Sequence, residues 1–242
     1  MSPELILDAA SRTHTGLVRK RNEDSIYQGE WLYAVADGLG GHVAGDVASA
    51  TAIEILKPKD QLVDPANLAA VLGEAISAIG KSMRRKVQED PELSGMGTTL
   101  VAMLRSGHAA VLANIGDSRA YLLRNSHLGG ETIQISEDHT YQYLVADSAN
   151  VPNLPERLAR FLDGRIDGRS PDLTLLDLRP GDRILLCSDG LSSYVPHDLI
   201  HAALSAPIAP DKVAERLIDL AVGQGGIDNV SVVVIDVALR RD

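Results

Sequence analysis

Cysteine is almost missing from this chain. Cys187 is the single thiol in 242 residues, so no internal disulfide can form and a reducing compartment is expected. Aromatic residues are scarce too, at 3% with one Phe and one Trp, so the core must be built from Leu, Val, Ile and Ala. An excess of positive charge is also lacking. The 33 acidic and 23 basic residues leave a net charge of −10, which argues against nucleic acid or an anionic membrane as partner. Neither would gain from counterion release or surface attraction. No apolar run approaches the roughly 18 residues that can span a bilayer. The opening Met1-Ser2-Pro3-Glu4 has no basic region or apolar run of a secretory signal. The expectation is a cytoplasmic, monomeric protein without membrane insertion, whose many carboxylates suit cations.

What is present is globular. Apolar residues make up 45% and charged residues 23%, and 242 residues suffice for one domain over residues 1–242 with a sizeable core. Strand-like runs lie at 32–36, 98–104, 109–115, 120–123, 132–135, 173–178, 184–187 and 230–237, each short and bounded by Gly, Asp, Asn or Pro. Helical patterns lie at 46–56, 66–88, 197–204 and 212–222. In the second, Leu68, Leu72, Ala75, Ile76 and Ile79 recur at helical spacing between Pro65 and Pro91. The strands from Gly97 to Arg124 follow one another through short connections, as in an antiparallel meander. The fold class expected is α+β, with helices covering antiparallel sheets. Residues 139–169 break the pattern. They hold Pro152, Pro155, Gly164 and Gly168 and a short helical piece at 156–162, and read as a flap-like excursion over a binding site.

Chemistry is suggested by where the aspartates fall. Asp37, Asp117 and Asp189 each end a hydrophobic strand, Asp228 immediately precedes one, and every one of them stands beside Gly or another small residue. Singly, an Asp-Gly pair is a turn. Four at strand edges make a set of oxygen ligands suited to hard divalent cations, with glycine letting backbone carbonyls approach as well. The charged run Arg19-Lys20-Arg21-Asn22-Glu23-Asp24 offers a planar guanidinium for a phosphate dianion and carboxylates that can hold metal-bound water. His42, after Gly40-Gly41, could donate a proton to a leaving alkoxide. Other motifs fail: Gly80-Lys81-Ser82 has Ala75 where a P-loop needs Gly, and Gly38-x-Gly40 has Val43 where a dinucleotide fingerprint needs Gly. The residues after Cys187 offer no arginine for a cysteine phosphatase.

In chain order, Gly16-x-Val18-Arg19-x-x-Asn22-Glu23-Asp24, Val35-Ala36-Asp37-Gly38-x-Gly40-Gly41-His42, Gly97-Thr98-Thr99, Asn114-x-Gly116-Asp117-Ser118-Arg119, Asp138-His139, Ser188-Asp189-Gly190 and Asp228-Asn229 resemble the motifs of the PP2C (PPM) family of Mg2+/Mn2+-dependent protein serine/threonine phosphatases, its short bacterial members above all. The resemblance implies a sandwich of two antiparallel sheets flanked by helices. It also implies roles. Asp37 would bridge two ions, with the Gly38 carbonyl on one and Asp189 and Asp228 on the other. Asp117, with Asp189, would hold a third and weaker ion. Arg19 would contact the phosphate, Glu23 and Asp24 would act through metal-bound water, and His42 would be the general acid. Two such ions lower the pKa of a bridging water and clamp the phosphoryl oxygens for in-line attack. Phosphorylated proteins and a serine/threonine kinase system are the implied partners. A phosphatase of a partner-switching pathway and a non-catalytic phosphoprotein-binding relative are the competing readings.

Overall fold

A computed structural model describes residues 4–39, 44–125, 130–141, 158–165 and 170–240. The strands are β1 (Leu5–His14), β2 (Asp24–Gln28), β3 (Leu32–Leu39), β4 (Gly97–Thr98), β5 (Leu100–Ser106), β6 (Ala109–Ile115), β7 (Arg119–Leu123), β8 (Thr132–Gln134), β9 (Asp172–Asp177), β10 (Arg183–Cys187) and β11 (Val230–Leu239). Helices α1 (Ala44–Leu56) and α2 (Leu68–Glu89) follow β3, while α3 (Asp189–Ser192), α4 (His197–Leu204) and α5 (Pro210–Gly223) lie between β10 and β11. The strands form two antiparallel sheets. One has the order β1-β11-β10-β7-β8, and the other β2-β3-β5-β6-β9 with β4 paired to β3.

The central strands are apolar at nearly every position because both of their faces are covered. In β3, Leu32, Ala34 and Ala36 pack outward on α1 and α2, while Tyr33 and Val35 point into the space between the sheets. In β10 and β11 the same alternation sends Leu185, Cys187, Val232 and Val234 toward α4 and α5, and Ile184, Leu186, Val233 and Ile235 inward. Three apolar layers result, set helix–sheet–sheet–helix. Helix α2 starts after a 3-10 turn at Pro65–Asn67, where the Asp64 carboxylate accepts from the Ala66 N–H (2.8 Å), and it stops short of Pro91.

Three expectations need correction. The strands from 97 to 124 are not a single meander: β5 and β6 pair in one sheet, but β7 lies in the other, against β10 and β8. The crossing is made at Gly116-Asp117-Ser118, where Gly116 takes a φ of +117° that favours glycine. The run at 98–104 is broken at Thr99, whose N–H turns away to the Asp37 carbonyl (2.9 Å). Residues 158–162 are not helical. Leu158 and Leu162 form isolated bridges to Thr140 and Thr98, and Leu162 exchanges two backbone hydrogen bonds of 2.8 Å with Thr98. That far side of the excursion is docked on the body, with Leu162 buried and the Gly164 carbonyl accepting from Arg84 Nε (2.8 Å). Of the flap expected over residues 139–169, residues 142–157 and 166–169 lie outside the described residues, as does His42.

Candidate active site

The topology gathers the sequence-picked aspartates at one end of the sandwich. Asp37 is near the end of β3 and Asp117 in the crossing from β6 to β7. Because β10 and β11 are antiparallel, the end of one, followed by Asp189, lies beside the start of the other, preceded by Asp228. Gly190 permits this closeness, since a Cβ there would stand 1.8 Å from the Asn229 carbonyl oxygen. Asp37, Gly38, Asp117, Asp189 and Asp228 line a cavity of about 570 Å3 together with Arg19 and Glu23. Asp24 sits behind this wall, directly opposite Asp37 across the β2–β3 ladder.

Like charges directly opposite in a sheet repel one another, and here burial sharpens the repulsion. Desolvation, then the charges of Asp24 and Asp189, hold Asp37 far above the usual carboxylate range, although part of its surface faces the cavity. Desolvation also raises Asp189, opposed by a hydrogen bond from Asp37 and reinforced by Asp228. Burial pushes Asp117 up to about 7, with Asp189 adding to it. Asp24 likewise reaches about 7 through burial, even though Ser188 Oγ donates to its Oδ2 (2.8 Å). The other oxygen, Asp24 Oδ1, is buried without a hydrogen-bond partner. A group of desolvated carboxylates that raise one another's pKa is relieved by divalent cations, and all-oxygen donors suit Mg2+ or Mn2+. Among the described residues no three Asp, Glu, His or Cys side chains are gathered tightly enough to cage an ion unaided. The carboxylates surround an open space, which fits cations that keep several of their waters.

Arg19 reaches the same cavity, but here its Nη2 donates to Asp228 Oδ2 (2.6 Å), which raises its own pKa. Its side chain is 54% exposed, so the guanidinium is accessible to an incoming anion. Several residues whose roles the sequence left unassigned hold this arrangement. The Asn229 side chain accepts from the Glu23 N–H and donates to the carbonyls of Thr15 and Arg21, each at 2.8 Å, tying the Arg19–Asp24 segment to the start of β11. Thr98 Oγ1 and the Thr99 N–H both donate to the Asp37 carbonyl (2.8 and 2.9 Å), and Thr99 Oγ1 accepts from the Asp37 N–H (3.1 Å). Their presence in the ordered motifs was the available signal. Among the described residues no helix is long and apolar enough to cross a membrane.

The family model for protein phosphatase 2C matches residues 11–220. The chain belongs to the protein phosphatase 2C family. Serine/threonine protein phosphatase PstP of Mycobacterium tuberculosis is 44% identical over 240 residues, covering 96% of this chain and 45% of PstP. The chain thus spans less than half the length of that relative. Serine/threonine phosphatase stp of Listeria monocytogenes is 32% identical over 248 residues, covering 95% of this chain and 96% of that protein. A crystal structure of the PstP catalytic domain in complex with two manganese ions superposes with a TM-score of 0.88, at 44% identity, covering 97% of this chain and 99% of that one. The 2C fold, two antiparallel sheets between helices, is therefore that of this chain, as the sequence led one to expect.

Proposed function

We propose that this chain hydrolyses phosphoserine and phosphothreonine in proteins, using two or three Mn2+ or Mg2+ ions. The observation that carries the reading is the convergence of Asp37, Asp117, Asp189 and Asp228, drawn from both sheets, on one cavity that Arg19 also lines. Asp37, the Gly38 carbonyl, Asp189 and Asp228 would hold two ions, and Asp117 with Asp189 a third. When bound, such ions supply Lewis acidity toward the phosphoryl oxygens and a water activated at neutral pH.

The protein's own groups do the rest. Arg19 exchanges Asp228 for the phosphate, presenting two donors in a plane. Glu23 on the cavity wall, and Asp24 from behind it, would act on the ions through bound water, and Asn229 keeps that segment in register by fixing the Glu23 N–H. His42 is the proposed donor of a proton to the departing serine or threonine oxygen. Residues 139–169 would bear on which phosphoproteins enter, with Leu158 already on the cavity wall. No carboxylate of the set is missing, which sets the chain apart from a non-catalytic relative. A cytoplasmic monomer opposing a serine/threonine kinase system is the setting that fits. Turnover of a phosphoserine peptide, with and without Mn2+, is the test; equal turnover in excess chelator would sink the reading.

A further inference from the structure

The crossing that carries Asp117 is braced along its length by residues 136–139. Asn114 Nδ2 donates to the Glu137 carbonyl (2.7 Å), and the Ala120 N–H donates to Ser136 Oγ (2.9 Å). Arg119 grips the Asp138 carboxylate with Nε and Nη2 (2.9 and 2.6 Å). His139 closes the brace on Gly116, the residue before Asp117. Its backbone N–H donates to the Gly116 carbonyl (2.9 Å), and its ring Nδ1 accepts from the Gly116 N–H (3.1 Å). Both backbone polar groups of Gly116 are therefore held by one histidine, whose side chain is 1% exposed.

The ring has a single tautomer in this arrangement. A backbone N–H can only donate, so Nδ1 is bare and Nε2 carries the proton, which it gives to Asp172 Oδ2 (3.0 Å) at the start of β9. Asp172 is also gripped by Arg160 Nη1 and Nη2 (3.0 and 3.2 Å). The His139 carbonyl accepts from the Ala159 N–H (2.7 Å), next to the cavity-lining Leu158. One residue thus touches the Asp117 crossing, the edge strand β9 and the docked part of the excursion.

We propose that His139 is a positioning residue that fixes the direction of the Asp117 carboxylate and couples it, through Asp172 and Arg160, to residues 158–160. The proposal rests on Asp117 being a ligand of the weaker ion. Groups that orient a ligand typically change metal affinity by about 10- to 100-fold when replaced. Two substitutions separate the ring's two hydrogen bonds. In His139→Asn the amide oxygen can stand where Nδ1 stood and accept from Gly116, but the shorter side chain no longer reaches Asp172. In His139→Gln the amide nitrogen reaches the Nε2 position and keeps Asp172, while the Gly116 N–H is left without its acceptor.

The measurement is calorimetric titration of each purified protein with Mn2+, beside a thermal melt in chelator and turnover of a phenyl phosphate. His139→Asn, which loses only the Asp172 link, is expected to weaken the lowest-affinity binding step by less than about 10-fold. His139→Gln is expected to weaken that step about 10- to 100-fold while the tighter steps stay unchanged. Turnover of the His139→Gln protein then recovers as Mn2+ is raised. An unchanged weak step in a folded His139→Gln protein overturns the proposal, and so does equal weakening in both variants. If His139→Gln melts too early to titrate, Asp172→Ala carries the test. It leaves the Gly116 bonds and unpins Nε2, and an unaltered weak step there refutes the coupling. Absence of any Mn2+ binding by the wild-type protein would refute the metal reading instead.

Discussion

Asp117 should destabilise the fold that holds it, and the effect can be sized. Burial and the neighbouring Asp189 raise its pKa from 3.8 to about 7. An unfolded chain releases that proton near the ordinary value, whereas the folded, cation-free chain keeps it for about 3 pH units more. Between about pH 4 and pH 7 the folded state binds the extra proton, so this group's contribution to stability falls as pH rises and levels off above the folded pKa. At about 1.4 kcal/mol per unit the ceiling is about 4 kcal/mol, and contact with the cavity's water reduces it to about 2. Asp117→Asn removes the charge and keeps the shape. In chelator near pH 8, this variant should be more stable than wild type by about 2 kcal/mol, or roughly 4–8 °C in Tm for a domain of this size. Near pH 4 the two proteins should melt together. Thermal melts followed by circular dichroism at several pH values give the difference directly, and Mn2+ should narrow it by stabilising wild type more. A variant no more stable than wild type near pH 8 would refute the reasoning, because Asp117 would then bear no burial strain.

Three further outcomes follow from named residues. Arg19→Lys keeps the charge but loses the planar fork, and should raise KM for phosphopeptides by a factor equivalent to about 1–3 kcal/mol; unchanged kinetics would remove Arg19 from phosphate binding. Asn229→Ala deletes three half-buried hydrogen bonds made by a buried side chain and should lower unfolding stability by about 2–4 kcal/mol in urea titration. A loss below about 0.5 kcal/mol would mean that the Arg19–Asp24 segment is held by other interactions. His42→Ala should slow phosphoserine turnover more than that of phenyl phosphates, whose leaving groups need no proton. Equal losses would make His42 a structural residue.

The parts of the fold that were legible are those where apolar residues run without interruption. Strands such as β6 and β10 are covered on both faces, so their sequences are nearly continuous in Ala, Val, Leu and Ile and bounded by Gly or Asp. Strand β1 was missed because Leu5–His14 alternates with Asp8, Ser11 and Arg12 and is partly exposed along most of its length. Strand β2 was missed because Asp24–Gln28 carries few apolar residues. The sheet change at Gly116–Ser118 was unreadable in one sequence: a short connection after a strand looks the same whether the next strand pairs locally or crosses to the other sheet. The site was more legible than the topology, because each aspartate marks the end or start of a hydrophobic run. Legible too was the charge of Arg19, but not that Asp228 would occupy it. The functions of Asn229, Thr99 and His139 depend on backbone partners distant in sequence, and only the fold shows those.

The account's central claim is that these aspartates work as a cation-binding centre for phosphate ester hydrolysis. Its most direct test is turnover of a phosphoserine peptide by wild type and Asp37→Asn across a Mn2+ titration that begins in chelator. Asp37 is the residue common to both proposed inner ions, and Asn keeps its hydrogen-bonded backbone in place. The expected result is no turnover by wild type in chelator, saturable activation by Mn2+, and no turnover by Asp37→Asn at any Mn2+ concentration although it remains folded. Wild-type turnover in excess chelator, or near-normal turnover by Asp37→Asn, would contradict the claim and reduce the carboxylates to turn formers.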